Sequence, residues 1–133
     1  MKKFIVVFIS LIMMVLLLSG CNQKGNADQE AAAEFVSPLV GDPIAGDTLF
    51  HTTCFACHGD DATGLPGQGK DLTTSTFVRG LTDQELVEFV TNGRRITDPL
   101  NTTGVDMPPK GGNPAFTEQD LYDIVAYIRS LEK

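Results

Sequence analysis

Residues Thr52 to Asp60 read TTCFACHGD, with Cys54 and Cys57 three positions apart and His58 directly after them. The only other cysteine of the 133 residues is Cys21. Two thiols and an imidazole this close allow four chemistries. A Cys54–Cys57 disulfide is permitted outside the cytoplasm. A redox-active dithiol is its reactive counterpart, but such motifs usually follow a strand in a βαβ pattern. Zinc wants a fourth ligand and usually a second pair; His51 completes a set only on paper, because it sits one helical turn before Cys54. The fourth chemistry is covalent attachment of haem. Two thioethers then hold the porphyrin edge and the adjacent histidine lies beneath the iron, and Cys-x-x-Cys-His is the signature of that attachment. The histidine in register favours haem over the thiol and zinc readings.

A haem iron held in this way takes a second axial ligand. The methionines are Met1, Met13, Met14 and Met107. The first three fall in an apolar leader, so Met107, within DMPPKGG, is the one thioether left once the leader is removed. Pro108 and Pro109 stiffen the backbone after it, which suits a weak sulfur ligand. His51 is tied to the helix that carries the attachment and reads as a surface or haem-edge histidine.

The leader is the stretch MKKFIVVFISLIMMVLLLSGC. Lys2 and Lys3, an apolar run from Phe4 to Leu18 and small residues before a break are the features of a secretory signal. The run is also long enough for an uncleaved membrane anchor. Leu18-Ser19-Gly20-Cys21 resembles a bacterial lipobox, in which the cysteine is acylated and becomes the new N-terminus. The expected organisation is a signal over 1–20, a flexible tether over 21–40 from a lipidated Cys21, and one folded domain over 41–133. Either anchor tethers that domain outside the cytoplasm, on a bacterial membrane. Losing Lys2 and Lys3 with the leader takes the formal net charge from −7 to −9, a poor balance for a nucleic-acid binder. The tether is polar and Ala-rich, with ADQEAAAE at its centre, and lacks the apolar spacing of a buried helix.

Three helices must position the chemical residues. Asp42 caps the first, Pro43 suits its first position, and Ala45, Leu49 and Phe50 share a face that leads straight into Cys54. In LTDQELVEFVTNG, Thr82 and Glu85 form a capping box, Leu86, Phe89 and Val90 make the stripe, and Asn92-Gly93 is the stop. In FTEQDLYDIVAYIRSLEK, Thr117 and Asp120 open a helix whose apolar face is Leu121, Ile124, Val125, Ile128 and Leu131. Arg129 and Lys133 suit its C-terminal dipole. The loops between these helices are long, rich in Gly, Pro, Thr and Asp, and show no convincing set of strands. Loops of that length in a compact domain usually serve function, and three short helices do not close a dry core without a large apolar partner.

With Cys54-Phe55-Ala56-Cys57-His58, the Met107-Pro108 segment and two helix patterns in hand, residues 41–133 resemble a class I cytochrome c, the mono-haem kind, carried on a bacterial lipoprotein signal. The resemblance implies a small all-α fold, with three main helices and long loops around one covalent haem c. Cys54 and Cys57 then provide the thioethers, and His58 and Met107 the axial ligands. It also implies that Gly46 and Phe50 pack across the last helix against Ile124 and Tyr127. In the family a Gly-Pro pair often precedes a leucine, and a backbone carbonyl there receives the other ring proton of the histidine. This chain has Gly69-Lys70-Asp71-Leu72, so the sequence leaves open how stiff that loop is and which residue orients His58. The implied role is that of a one-electron carrier rather than an enzyme. Its electrons would pass from a quinol-oxidising or dehydrogenase complex to a terminal oxidase or reductase, with the lipid anchor holding the carrier at the membrane. Two other roles fit the residues: a haem sensor or gas binder with a labile Met107, and a haem-free thiol-redox lipoprotein.

Overall fold

The computed structural model describes residues 39–133. The leader, Cys21 and all but the last two residues of the tether lie outside the described residues. The described chain forms five α-helices: α1 (Pro43–Thr53), α2 (Phe55–His58), α3 (Thr76–Gly80), α4 (Asp83–Asn92) and α5 (Glu118–Ser130), with a 3₁₀ turn at Pro109–Gly112. Among the described residues there is no strand, only isolated antiparallel bridges at Leu65–Gly69 and Arg94–Met107. The expected all-α architecture holds, with α1, α4 and α5 as its main helices.

The caps form as the sequence dictates. Asp42 accepts from the amides of Ile44 at 2.8 Å and Ala45 at 3.4 Å. Thr82 and Glu85 close a capping box on α4, and Thr117 and Asp120 do the same on α5. Each box satisfies amides that the first helical turn leaves without partners. The short α3, capped by Ser75, stands where the sequence reads as loop; five residues are too few to show a helical period.

α1 and α5 make the most extensive helix contact, and two glycines allow it. A Cβ on Gly46 would lie 1.9 Å from the carbonyl oxygen of Asp123, and one on Gly41 would lie 2.1 Å from that of Tyr122. Phe50 fills the space beyond, fully buried, its ring 5.4 Å from that of Tyr127. Burying a side chain of this size contributes about 1.5–3 kcal/mol. Asp123 is an unexpected member of the core: its buried carboxylate accepts from the amide of Asp42 and the side chain of Gln119, both at 2.8 Å. It thereby ties the start of α1 to the middle of α5.

The rest of the core comes from Leu86, Val87 and Val90 of α4, Val78 of α3, and Leu121, Ile124, Val125 and Ile128 of α5. Phe89, expected on the buried stripe, is only half-buried, because its ring turns to Phe77 at 5.0 Å and to the guanidinium of Arg94 at 4.7 Å. Arg129 does more than complement a dipole. It donates to Asp83 at 2.8 Å, to the carbonyls of Val78 at 2.9 Å and Leu81 at 2.6 Å, and to Glu132 at 2.7 Å. One side chain thus fastens the end of α5 to the junction of α3 and α4.

Candidate functional site

The core opens onto a cavity of about 620 Å³. Phe50, Leu86, Val90, Ile124 and Ile128 belong to the core and to the cavity wall at once. Cys54, Cys57, His58 and Met107 all line this one cavity. The first three arrive at the end of α1 and along α2, and Met107 arrives on the loop after α4. His51, by contrast, is not on the wall.

The two thiols are unbonded and half-buried. Burial pushes the Cys54 thiol above its ordinary value, partly offset by a contact with the hydroxyl of Thr53. A reactive dithiol needs the opposite shift on its attacking sulfur, so Cys54 is not suited to that role. Among the described residues, no three His, Cys, Asp or Glu side chains converge to hold a metal ion, which leaves the zinc reading without a site.

His58 is oriented by a backbone group. Its Nδ1 lies 2.8 Å from the carbonyl oxygen of Lys70; a carbonyl accepts only, so Nδ1 carries the proton and Nε2 the lone pair. Burial holds the ring below its ordinary pKa, against the pull of that hydrogen bond, so it is a neutral imidazole with a donor nitrogen to offer. The loop behind it is tightly fitted. Gly64 packs on the peptide between Lys70 and Asp71, where a Cβ would come within 2.6 Å of the Asp71 nitrogen. The Leu72 amide donates to Ala62 at 2.9 Å. Asp71 accepts from the amide and hydroxyl of Thr73, at 2.7 and 2.8 Å, and from those of Thr74, at 3.2 and 2.7 Å. These bonds, led by the Thr74 and Thr73 hydroxyls, pull its carboxyl down to about 2.

Met107 is held by its main chain. Its amide donates to the Arg94 carbonyl at 2.8 Å, and the Arg94 amide donates back at 2.9 Å. Gly93 permits this approach. Its φ is +68°, and a Cβ there would lie 2.3 Å from the Met107 carbonyl. The Arg94 side chain stacks 4.7 Å from the rings of both Phe77 and Phe89. It also lines the cavity, and its buried Nε has no hydrogen-bond partner. Asp98 lies 3.5 Å away, an ion-pair distance at which no hydrogen bond forms.

This cavity fits a large flat apolar group with an acidic edge. It has apolar walls, two thiols and a neutral imidazole on them, a thioether, and a buried cationic donor lacking an acceptor. Sequence reasoning missed Phe77 and Arg94, and left open which residue orients His58. A cation directly after a helix-ending glycine was the signal for Arg94. The family resemblance pointed to a carbonyl in Gly69-Lys70-Asp71-Leu72, and the structure identifies it as that of Lys70.

Comparison with known proteins gives the chain a family. The family model described as Cytochrome c matches residues 44–132. The chain is 31% identical over 117 residues to the Cbb3-type cytochrome c oxidase subunit FixP of Sinorhizobium medicae, covering 82% of this chain and 39% of that protein. It is 34% identical over 106 residues to the CcoP subunit of Rubrivivax gelatinosus, covering 74% of this chain and 31% of that one. With FixP of Bradyrhizobium sp. it shares 43% identity over 70 residues, which are 47% of this chain and 24% of that protein. The chain thus spans well under half the length of these relatives. No solved structure matches it with significance.

Proposed function

The chain belongs to the cytochrome c family, and from that premise we propose that it is a membrane-tethered one-electron carrier with a single haem c. Membership implies covalently bound haem c. Cys54 and Cys57 would hold it through thioether bonds, and His58 and Met107 would ligate its iron. When bound, the haem supplies a reversible one-electron couple at iron.

The chain's own residues prepare that couple. The Lys70 carbonyl fixes the tautomer and strengthens the donor nitrogen of His58. The thioether of Met107 favours ferrous iron and so raises the potential relative to a second histidine. Phe50, Leu86, Val90, Ile124 and Ile128 exclude water and disfavour the more highly charged oxidised state. Arg94, whose Nε makes no hydrogen bond although Asp98 stands at ion-pair distance, offers that donor to an acidic group at the cavity edge.

Outside the described residues, Cys21 carries the lipid and the tether 21–40 lets the domain, 41–133, search the extracytoplasmic membrane surface for partners. Restricting that search raises the effective concentration. The relatives carry the names of cbb3-type oxidase subunits, which supports a terminal oxidase as acceptor, with a quinol-oxidising or dehydrogenase complex as donor. The observation that carries the reading is the meeting of Cys54, Cys57, His58 and Met107 on one apolar cavity. The test is an absorption spectrum of the purified protein, reduced and then exposed to carbon monoxide. A low-spin haem c spectrum that carbon monoxide leaves unchanged is expected. A ready carbon monoxide complex would make the protein a gas binder or sensor, and absence of haem would make it a thiol-redox protein.

A further inference from the structure

Where the resemblance leads one to expect a proline ring, the loop that faces His58 has Lys70 and Asp71. Something else must hold the 70–71 peptide so that its oxygen stays 2.8 Å from Nδ1. Lysine has no constraint on its backbone torsions of the kind proline has. We propose that the Asp71 carboxylate is the positioning residue for His58, taking the place of the proline ring by anchoring the Cα that follows the Lys70 carbonyl. This inference rests on the reading of His58 as a haem ligand.

The anchoring is specific. Oδ1 of Asp71 accepts from the amide and hydroxyl of Thr73 and from the amide of Thr74, while Oδ2 accepts from the Thr74 hydroxyl. Thr73 is itself only 2% exposed, and its carbonyl accepts from the amide of Lys133 at 3.0 Å. The carboxylate is therefore moored to a buried residue that is moored to the end of the chain. Gly64 stands in close contact with the same peptide. With the Asp71 Cα fixed and Gly64 packed against the peptide, the Lys70 carbonyl keeps one direction. A carbonyl held in this way increases the basicity of the ligating histidine and favours ferric iron. Loosening it does the reverse, so the potential rises.

Two readouts test the idea on the full-length holoprotein: exchange of the His58 Nδ1 proton with water in the reduced state, followed by proton NMR, and the reduction potential. In Asp71→Ala the proton should exchange several-fold faster and the potential should rise. Asp71→Asn keeps one oxygen for Thr73 but loses the acceptor for the Thr74 hydroxyl, and should fall between wild type and alanine. Adding Lys70→Pro to Asp71→Ala should restore both readouts towards wild type. An Asp71→Ala protein with wild-type exchange and potential, even if less stable, overturns the proposal, as does a folded double variant that stays fast. Should Asp71→Ala fail to fold, Asp71→Asn decides alone, and equality with wild type counts against the carboxylate. A wild-type protein without haem on His58 overturns the reading beneath the proposal as well; unchanged variants of a haem-bearing wild type overturn the proposal alone.

Discussion

Met107 is fixed by its amide and carbonyl before its sulfur meets anything, and that separates two roles which substitution can test. Met107→Ala keeps the backbone bridge to Arg94 and removes only the thioether. The variant should retain covalent haem, lose the near-infrared sulfur-to-iron charge-transfer band of the ferric protein, fall in potential and bind carbon monoxide when reduced. The fall follows from losing a ligand that prefers ferrous iron. A variant with band and potential unchanged would show that Met107 is not the ligand. His51 poses a different residue-scale question. Its Nδ1 meets the Asp47 carbonyl at 2.8 Å and its Nε2 the Asp60 carbonyl at 3.0 Å, with the carboxylates of the same residues at 3.0 and 3.3 Å. Both nitrogens therefore face acceptors, which suits the imidazolium. The Asp47 carbonyl, and then the Asp60 carbonyl and the two carboxylates, raise its pKa above the ordinary 6.5 despite some burial. A folded-state pKa above the unfolded one means that the stabilisation is complete below 6.5 and lost as pH rises through the folded value. The gap in thermal midpoint between wild type and His51→Ala should be widest in mild acid and narrow as pH climbs through that range. A gap independent of pH would mean that the ring contributes by packing alone.

At the scale of elements, the junction of α1 and α5 is the least forgiving part of the fold. A methyl at Gly46 would collide with the Asp123 carbonyl of α5, and backbone does not step aside as a flexible side chain does. Gly46→Ala should cost at least the upper part of the roughly 1–3 kcal/mol typical of overpacking, read as a lower midpoint in denaturant. A loss below about 0.5 kcal/mol, the level of a neutral surface change, would mean that the two helices are not in this contact. Much of this junction was legible in the sequence. The Asp42 cap, Phe50 and the α5 stripe follow from capping chemistry and period, and α4 follows from its capping box. Gly46 became meaningful only through the family resemblance, since period alone makes a glycine there a cost to the helix. The parts not legible share a cause: α3 and the 3₁₀ turn at Pro109–Gly112 are shorter than a run that shows a helical period. That Cys54, Cys57, His58 and Met107 belong to one site was legible as an expectation because their side chains carry the chemistry, and the structure brings them to one cavity. Asp71 and Arg94 were not, because they act through what they touch.

For the whole molecule, the decisive feature is a core that runs into a cavity. Without a group to fill it, Phe77, Leu100 and Val105 on its wall would present apolar surface to water, and a chain this small has little else to bury. Cys54→Ser with Cys57→Ser should abolish covalent haem and leave the chain largely unfolded; a sharp cooperative thermal transition in that double variant would contradict this. Outside the folded domain, Cys21→Ala should release protein processed to the mature length from membranes, checked by fractionation. Processed protein that still pellets with the membranes would refute the lipobox reading. The meeting of α1 with α5 also fixes an order of events in time. Chains are made from the N-terminus, so α1 exists long before residues 118–130 do. Until α5 emerges, Gly46 and Phe50 have no wall to rest on, and Cys54, one turn beyond Phe50, stays in unfolded chain. The helix that presents the thiols is therefore set in its final place only after the last helix has been made.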